Sequence, residues 1–269
     1  MPPSCPARAV RAETVITYTD AMSGDPMDPK RLATDAPAPV PVASADDDGL
    51  AGQLRGFGPL GLLSILLILF GSSIEVAPLV LLPVGAALVL VWVRLSRTPW
   101  REIGYLRPAS WVGTVVVGIA FGVALKIAMK MIVMPLLGAD PVNHAYHFLA
   151  GNRALLPAAI YAMLNAGFSE ETLFRGFIFE RLGKLLGSSL LAKIAILVIT
   201  SLWFGFSHYS VQGLAGTEQA TITGLVFGII IMVTGRIWTI MIAHAAFDLT
   251  ALAMIYLGLE AKVAHVLFK

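Results

Sequence analysis

The sequence predicts an all-α protein, a polytopic transmembrane bundle of about seven spans behind a disordered N-terminal tail. Of its 269 residues, 57% are hydrophobic and only 13% are charged, whereas soluble domains carry roughly 25% charged residues. The mean hydropathy is +0.79. A net charge of +2 is too small to indicate nucleic-acid binding, so we expect a lipid bilayer and no nucleic acid as partner.

The first 52 residues differ in composition from the rest. They are rich in Pro, Ala, Asp and Ser, with the runs APAPVPVAS and ADDD, and such a segment buries too little apolar surface to fold. We therefore expect a disordered acidic, Pro/Ala-rich tail over 1–52 and a membrane domain over 53–269. No signal peptide is recognisable, and the single cysteine, Cys5, excludes a disulfide framework.

Apolar stretches long enough to cross a bilayer recur from residue 58 onwards. The stretch 58–95 is interrupted by GSSIE and is interpreted as two helices with a turn near 72–75. The other five predicted spans are 111–137, 155–186, 190–208, 214–234 and 237–257.

Basic residues predict the orientation of these spans. Arg94, Arg97, Arg101 and Arg107 cluster between the second and third stretches. Loops rich in Arg and Lys stay in the cytoplasm, which places the N-terminus there too.

Ionisable residues interrupt three of the predicted spans, and such residues normally line an enclosed cavity and face a partner. They occur in SEETLFRG, WFGFSH and IAHAAFD, and are Glu170, Glu171, Arg175, His208, His244 and Asp248.

The two glutamates are neighbours, so on a helix their side chains point about 100° apart. Glu171 and Arg175 share a face at i,i+4, the spacing of an ion pair. Glu170 is then free to face another wall, where it could act as a general base. The alternative is that both glutamates pair with Arg175 and Arg181 at a helix end.

The histidines and lysines also allow several readings. His208 could be a structural residue at a helix end, whereas His244 and Asp248, at i,i+4, could be a structural pair, metal ligands or a polarising clamp. Lys126 and Lys130 share a helix face in the third span. They could snorkel outward, pair with a carboxylate such as Glu75, or attract an anionic end of a substrate; the sequence favours a structural role.

The three motifs together resemble the CPBP family. EETLFR fits EExxxR, FGFSH fits FxxxH and HAAFD fits HxxxN/D, in the family's order and spacing, over about residues 55–260. This family includes CAAX prenyl endopeptidases and bacteriocin-processing enzymes, also called Abi proteins. The resemblance implies an intramembrane endopeptidase, integral to a bacterial cytoplasmic membrane, that acts on peptide or protein substrates, prenylated ones among them.

The resemblance also implies roles for the motif residues. Glu170 corresponds to the glutamate that activates the attacking water, with His208 assisting, and Glu171 and Arg175 correspond to a supporting pair.

His244 corresponds to the histidine on the oxyanion side, and Asp248 stands where the family commonly has Asn. An ionised carboxylate would repel an oxyanion, so Asp248 must be protonated, orient His244 or help to hold a metal.

Two mechanisms and two other functions stay open from the sequence. Hydrolysis could depend on glutamate without a cofactor, the favoured version, or on Zn²⁺. The zinc ligands would be Glu170, His208, His244 and Asp248. The alternative functions are a catalytically idle scaffold or immunity protein on the same fold, and a proton-coupled transporter, which the absence of internal repeats disfavours.

Overall fold

The structure is a computed structural model and describes residues 49–73 and 78–267. Most of the predicted tail lies outside these residues, and its last four residues, 49–52, belong to the first helix. Every regular element in the described part of the chain is helical, in agreement with the all-α prediction.

Ten α-helices of five or more residues organise the described part of the chain. They are α1 (Gly49–Arg55), α2 (Pro59–Ser73), α3 (Pro78–Leu95), α4 (Trp111–Ala128), α5 (Leu156–Glu171), α6 (Phe179–Leu186), α7 (Leu190–Phe206), α8 (Tyr209–Thr234), α9 (Trp238–Tyr256) and α10 (Glu260–Ala264). A π-helical turn, Met129–Val133, prolongs α4 to Leu136, and another, Thr172–Ile178, joins α5 to α6.

Each predicted span contains a helix, but the number of spans is not settled by helix length. Among the residues that the structure describes, three helices are long and apolar enough to cross a membrane: Trp111–Leu136, Tyr209–Thr234 and Trp238–Tyr256. The pair Gly49–Arg55 and Pro59–Phe70, bent by 60°, would make a fourth. Pro83–Leu95 and Leu190–Phe206 are shorter apolar helices. The count of seven stays a prediction, and residues 74–77 of the predicted first turn lie outside the described part.

Helix α9 occupies the centre of the bundle, where it packs against both α4 and α5. Its residues Ile240, Met241 and Ala243 are fully buried. By contrast, Val112, Leu191 and Val233 on the outer helices are more than 70% exposed. Apolar side chains exposed on this scale are expected on a surface that faces lipid.

Glycines allow α9 to approach its neighbours closely. A Cβ at Gly122 of α4 would lie 2.1 Å from the Ala243 carbonyl oxygen, and one at Gly167 of α5 would lie 2.6 Å from the Ala245 nitrogen. Small residues of this kind permit close helix contact in membranes. One turn after Gly167, the same face of α5 carries Glu171, so this crossing directs that carboxylate at α9.

A third glycine joins α7 to α8 in the same way. A Cβ at Gly205 would lie 2.7 Å from the Thr217 carbonyl oxygen. His208 follows Gly205 by three residues and immediately precedes α8, whose backbone departs from helical geometry at Gly213 (φ 63°). The crossing therefore holds His208 between the two helices.

Candidate active site

Glu171 is the buried centre of the polar cluster. One of its oxygens, Oε1, accepts hydrogen bonds from Arg175 Nη1 at 3.0 Å and from His244 Nδ1 at 2.8 Å. The side chains of Glu171 and Arg175 are 0% and 1% exposed. Because a carboxylate only accepts, the proton on this side of the imidazole is on Nδ1. The opposite nitrogen, Nε2, is thereby left for other partners.

Nε2 of His244 faces two further carboxylates. Glu170 Oε2 lies 3.8 Å away and Asp248 Oδ2 lies 3.5 Å away. Glu170 Oε2 has no hydrogen-bond partner among the described residues. The helical angle between the two adjacent glutamates thus separates them, with Glu171 on Nδ1 and Glu170 on the side of Nε2.

His208 is oriented by its own helix turn. Its Nδ1 donates to the Phe204 carbonyl oxygen at 2.8 Å, since a carbonyl can only accept. The Phe204 ring packs edge-on against both imidazoles, with centroids 4.8 Å from His208 and 5.9 Å from His244. It also lies under the Arg175 guanidinium, 4.3 Å from Cζ. Phe204 therefore acts as a common spacer for three predicted site residues.

A cavity of about 750 Å³ collects the predicted residues into one place. Glu170, His208, His244 and Asp248 line it, whereas Glu171 does not. Arg175 also lies outside this lining. The six predicted residues thus divide into four that can touch a bound molecule and a pair behind them that holds His244.

The cavity has an apolar side and a polar side. The apolar side is formed by side chains from α2, α7 and the π-helical turn before α6, namely Leu69, Leu173, Phe174, Ile178, Trp203 and Phe206. The volume lies within the range of roughly 300–1,000 Å³ typical of ligand pockets.

Several polar lining residues were not singled out from the sequence. Asn165 is one: its Oδ1 accepts from Ser169 Oγ at 2.9 Å, and its Nδ2 has no partner among the described residues. Gln219 of α8 is another. A single amide in an apolar helix has no partner at a diagnostic spacing, so the motifs did not include these residues. An amide at membrane depth could still have indicated an enclosed site.

Tyr146 reaches the cavity from the loop before α5. Burial, with the nearby charges of Asp248 and Glu170, raises the pKa of Tyr146 to about 12. Its hydroxyl accepts a hydrogen bond from Gln212 at 3.3 Å. The phenol therefore stays protonated at neutral pH and can donate a hydrogen bond.

Neither lysine of α4 and its π-helical turn snorkels outward. Lys126 and Lys130 are only 6% and 9% exposed. Lys130 donates to the Pro141 carbonyl oxygen at 2.5 Å and lies 3.8 Å from Glu260. Its carboxylate partner is thus Glu260, while Glu75 falls outside the described residues. Lys126 lines the cavity.

The two glutamates do not both pair with Arg175 and Arg181, which was the alternative prediction. Arg181 forms its ion pair with the adjacent Glu180 and also donates to the Arg55 carbonyl oxygen at 2.7 Å. Glu170 forms no ion pair with an arginine among the described residues. Only Glu171 follows the predicted pairing with Arg175.

The residues as placed do not form a metal site. Among the described residues, no three His, Cys, Asp or Glu side chains come together in a way that could hold one ion. The predicted zinc set is spread around the cavity, and both Glu170 and Asp248 approach the same imidazole nitrogen instead. We therefore derive no step through zinc.

Comparison with known proteins finds a family match for the C-terminal part of the chain. The family model described as type II CAAX prenyl endopeptidase Rce1-like matches residues 152–250. This match supports the resemblance to the CPBP family that the three motifs indicated. The matched segment runs from just before α5 into α9 and contains all six predicted site residues. No curated protein and no solved structure matches the chain.

Family membership and the apolar helices agree about the class of protein. Rce1-like proteins are proteases that act on peptide or protein substrates in membranes, and the chain carries at least three helices able to cross one. The helices thus indicate an integral membrane protein, and its residues 152–250 are similar to a family of proteases.

Proposed function

We propose that the protein is an intramembrane endopeptidase in which Glu170 activates water. The observation that supports this most directly is the shared cavity of Glu170, His208, His244 and Asp248. Carboxylate and imidazole in one water-accessible pocket are the groups that general acid–base catalysis requires.

In the proposed reaction, Glu170 removes a proton from water and the hydroxide adds to the carbonyl carbon of the scissile peptide bond. The proton then passes to the amide nitrogen, with His208 assisting, and the carbon–nitrogen bond breaks. One carboxylic acid and one amine leave. Glu170 suits the base because it lines the cavity, which Glu171 does not, and because its Oε2 has no hydrogen-bond partner among the described residues.

His244 is proposed to stabilise the oxyanion through Nε2. The Glu171 carboxylate, itself anchored by Arg175, binds Nδ1 and so aims Nε2 into the cavity. For Nε2 to donate, the ring must be an imidazolium, and the surrounding carboxylates stabilise that charge. Asp248 is proposed to orient this nitrogen, 3.5 Å away, and not to contact the oxyanion itself.

The substrate is proposed to be a membrane-associated peptide of the CAAX type, with a prenyl group in the apolar part of the cavity. Leu173, Phe174 and Trp203 supply this apolar wall. CAAX sequences carry the lipid on their cysteine, so lipid and scissile bond would enter the same pocket together.

A defined pair of variants tests the proposal. Purified protein in lipid vesicles is incubated with a farnesylated CAAX peptide, and cleavage is measured by mass spectrometry. Glu170→Gln keeps the shape and removes the base, and we expect cleavage to fall about 10²- to 10⁴-fold. Glu218→Gln, the same change on α8 outside the cavity lining, should leave it within twofold.

Exhaustive chelation forms a second arm. The glutamate mechanism predicts that cleavage survives it, whereas loss of cleavage with recovery on adding Zn²⁺ would overturn that mechanism. If Glu170→Gln cleaves as well as the parent protein, Glu170 is not the base. If the parent protein cleaves no peptide and its effect in the cell survives Glu170→Ala, the endopeptidase proposal is wrong and the idle scaffold is favoured.

A further inference from the structure

The two lysines of the third predicted span have different surroundings. Lys130 has a carboxylate, Glu260, at 3.8 Å and a backbone oxygen, that of Pro141, as partners. Lys126, four residues earlier, forms no ion pair within the described part of the chain. Its ammonium donates to the neutral amide oxygen of Gln219 at 2.9 Å.

The helix crossing places Lys126 where it is. Gly118, Gly122 and Lys126 are spaced four residues apart and share one face of α4. A Cβ at Gly118 would lie 2.8 Å from Ile242, so this face lies tightly against α9. Lys126 consequently projects onto α9, and its Nζ lies 4.7 Å from the ring centroid of Phe247.

Burial makes this arrangement expensive for a cation. Lys126 is 6% exposed, and a lysine at membrane depth is costly unless it faces a partner. An amide oxygen and an aromatic face offset only part of the charge, because an ammonium has three donors. Since Lys126 lines the cavity, the remaining N–H donors of its ammonium are available to a molecule bound there.

We propose that Lys126 binds a carboxylate group of the substrate peptide and selects for it. This inference rests on the proposed function and assigns part of its specificity. An ammonium–carboxylate contact is the charge-assisted hydrogen bond that a buried lysine without an anionic partner favours.

Other charged residues near Lys126 also act on a bound carboxylate, so the proposal concerns only its direct contact with the ammonium. Asp248 and Glu260 attract Lys126 from beyond ion-pair distance, while Lys130 repels it. The Asp248 charge, and that of Glu170, would repel an incoming carboxylate. Selection for an anion therefore depends on the bond to Nζ and not on the general field of the cavity.

The carboxylate could be the C-terminal group of the peptide or an acidic side chain. Three farnesylated peptides of one CAAX sequence separate these sources: one with a free C-terminal acid, one with a C-terminal amide, and one with the amide and a Glu side chain at the last position. The measured quantity is kcat/KM for each peptide in vesicles.

We expect the parent protein to prefer the free acid, or the Glu-bearing amide, over the plain amide about 10- to 100-fold. Lys126→Met keeps an apolar chain of similar length and should reduce this ratio to near 1. Gln219→Glu should do the same, because it supplies Lys126 with an internal carboxylate. Lys130→Met is the matched control and should leave the ratio unchanged, whatever it does to stability.

Binding provides an arm that does not require turnover. The affinities of the same three peptides are measured for Glu170→Gln and for the double variant Glu170→Gln, Lys126→Met. The single variant should bind the carboxylate-bearing peptides more tightly than the plain amide, and the double variant should bind all three alike. Equal binding and equal cleavage of acid and amide by the parent protein would overturn the role of Lys126 and leave the endopeptidase intact. If no peptide is cleaved but acid is still bound preferentially through Lys126, the proposed function fails and the carboxylate site stands.

Discussion

At the scale of single residues, His244 lies among three carboxylates, and each has a different relation to the ring. Glu171 accepts from Nδ1 at 2.8 Å, whereas Glu170 and Asp248 face Nε2 at 3.8 and 3.5 Å. The exposed fractions of the latter two side chains are 14% and 22%, against 0% for Glu171. Burial and hydrogen bonding therefore distinguish a holding carboxylate from two that can meet a substrate.

Asp248 allows a sharp test because the family that the motifs resemble commonly has Asn at this position. Asp248→Asn keeps the shape and replaces a repelling charge with an amide that can donate to an oxyanion. We expect kcat to be retained or to rise up to tenfold, and Asp248→Ala to lower it about tenfold because His244 loses its orienting partner.

The measurement is kcat for both variants with the farnesylated peptide, together with thermal unfolding to show that each is folded. If Asp248 were instead a metal ligand, both substitutions would abolish cleavage alike, and added Zn²⁺ would restore part of it in the Asn variant.

At the scale of helices, small residues determine how closely the bundle packs. Contact through Gly122 and Gly167 brings the backbones of α4 and α5 directly against α9. On α5 the next residue along that face is Glu171, whose hydrogen bond to His244 crosses the same interface. The π-helical turn Thr172–Ile178 follows at once, as such turns often do at functional sites.

Gly167→Ala should therefore damage both stability and activity. Its new Cβ would lie 2.6 Å from the Ala245 backbone nitrogen, which forces α5 and α9 apart. Overpacking of this kind costs about 1–3 kcal/mol, and misplacing His244 by about 1 Å can lower the rate about 100-fold.

Gly183→Ala in α6 is the control. A Cβ there meets nothing within 4 Å, so alanine should stabilise the helix by about 0.5–1 kcal/mol and leave cleavage unchanged. Thermal unfolding in detergent and kcat give the two readouts. A Gly167→Ala variant as active as Gly183→Ala would show that this crossing does not position the site.

At the scale of the whole molecule, the orientation in the membrane follows from charge and not from packing. The loop 96–110 carries Arg97, Arg101 and Arg107, which the positive-inside rule assigns to the cytoplasm. One predicted span, 111–137, separates this loop from the loop 138–152, which should therefore lie on the opposite side of the membrane. Two predicted spans separate the N-terminus from the loop 96–110, so the N-terminus should be cytoplasmic.

Cysteine labelling tests this topology. The single natural cysteine, Cys5, is replaced by Ser, and single cysteines are introduced at Arg107 and at Gly151. An impermeant thiol reagent added to intact cells should label the Gly151 position and leave the Arg107 position unlabelled until the cells are opened. The reverse pattern would contradict the predicted orientation, and labelling of both in intact cells would contradict the predicted span between them.

Much of this protein could be predicted because each feature depends on local spacing or composition. A run of about 20 apolar residues must be a helix in lipid, since its backbone polar groups have no other partners. The spacing of Glu171 and Arg175 likewise gave their shared face, and their ion pair is present at 3.0 Å. The three motifs also indicated the family, which the match over residues 152–250 bears out.

Other features were decided only by tertiary structure. Spacing along one helix cannot tell which face meets which neighbour, because close contacts at single glycines set the crossings. For that reason the choice of Glu171 over Glu170 as partner of Nδ1 was not readable from the sequence. Nor was the inward direction of Lys126, whose cavity position depends on α4 lying against α9. Local sequence motifs thus identify the reactive groups, while long-range packing determines which atoms of those groups come into contact.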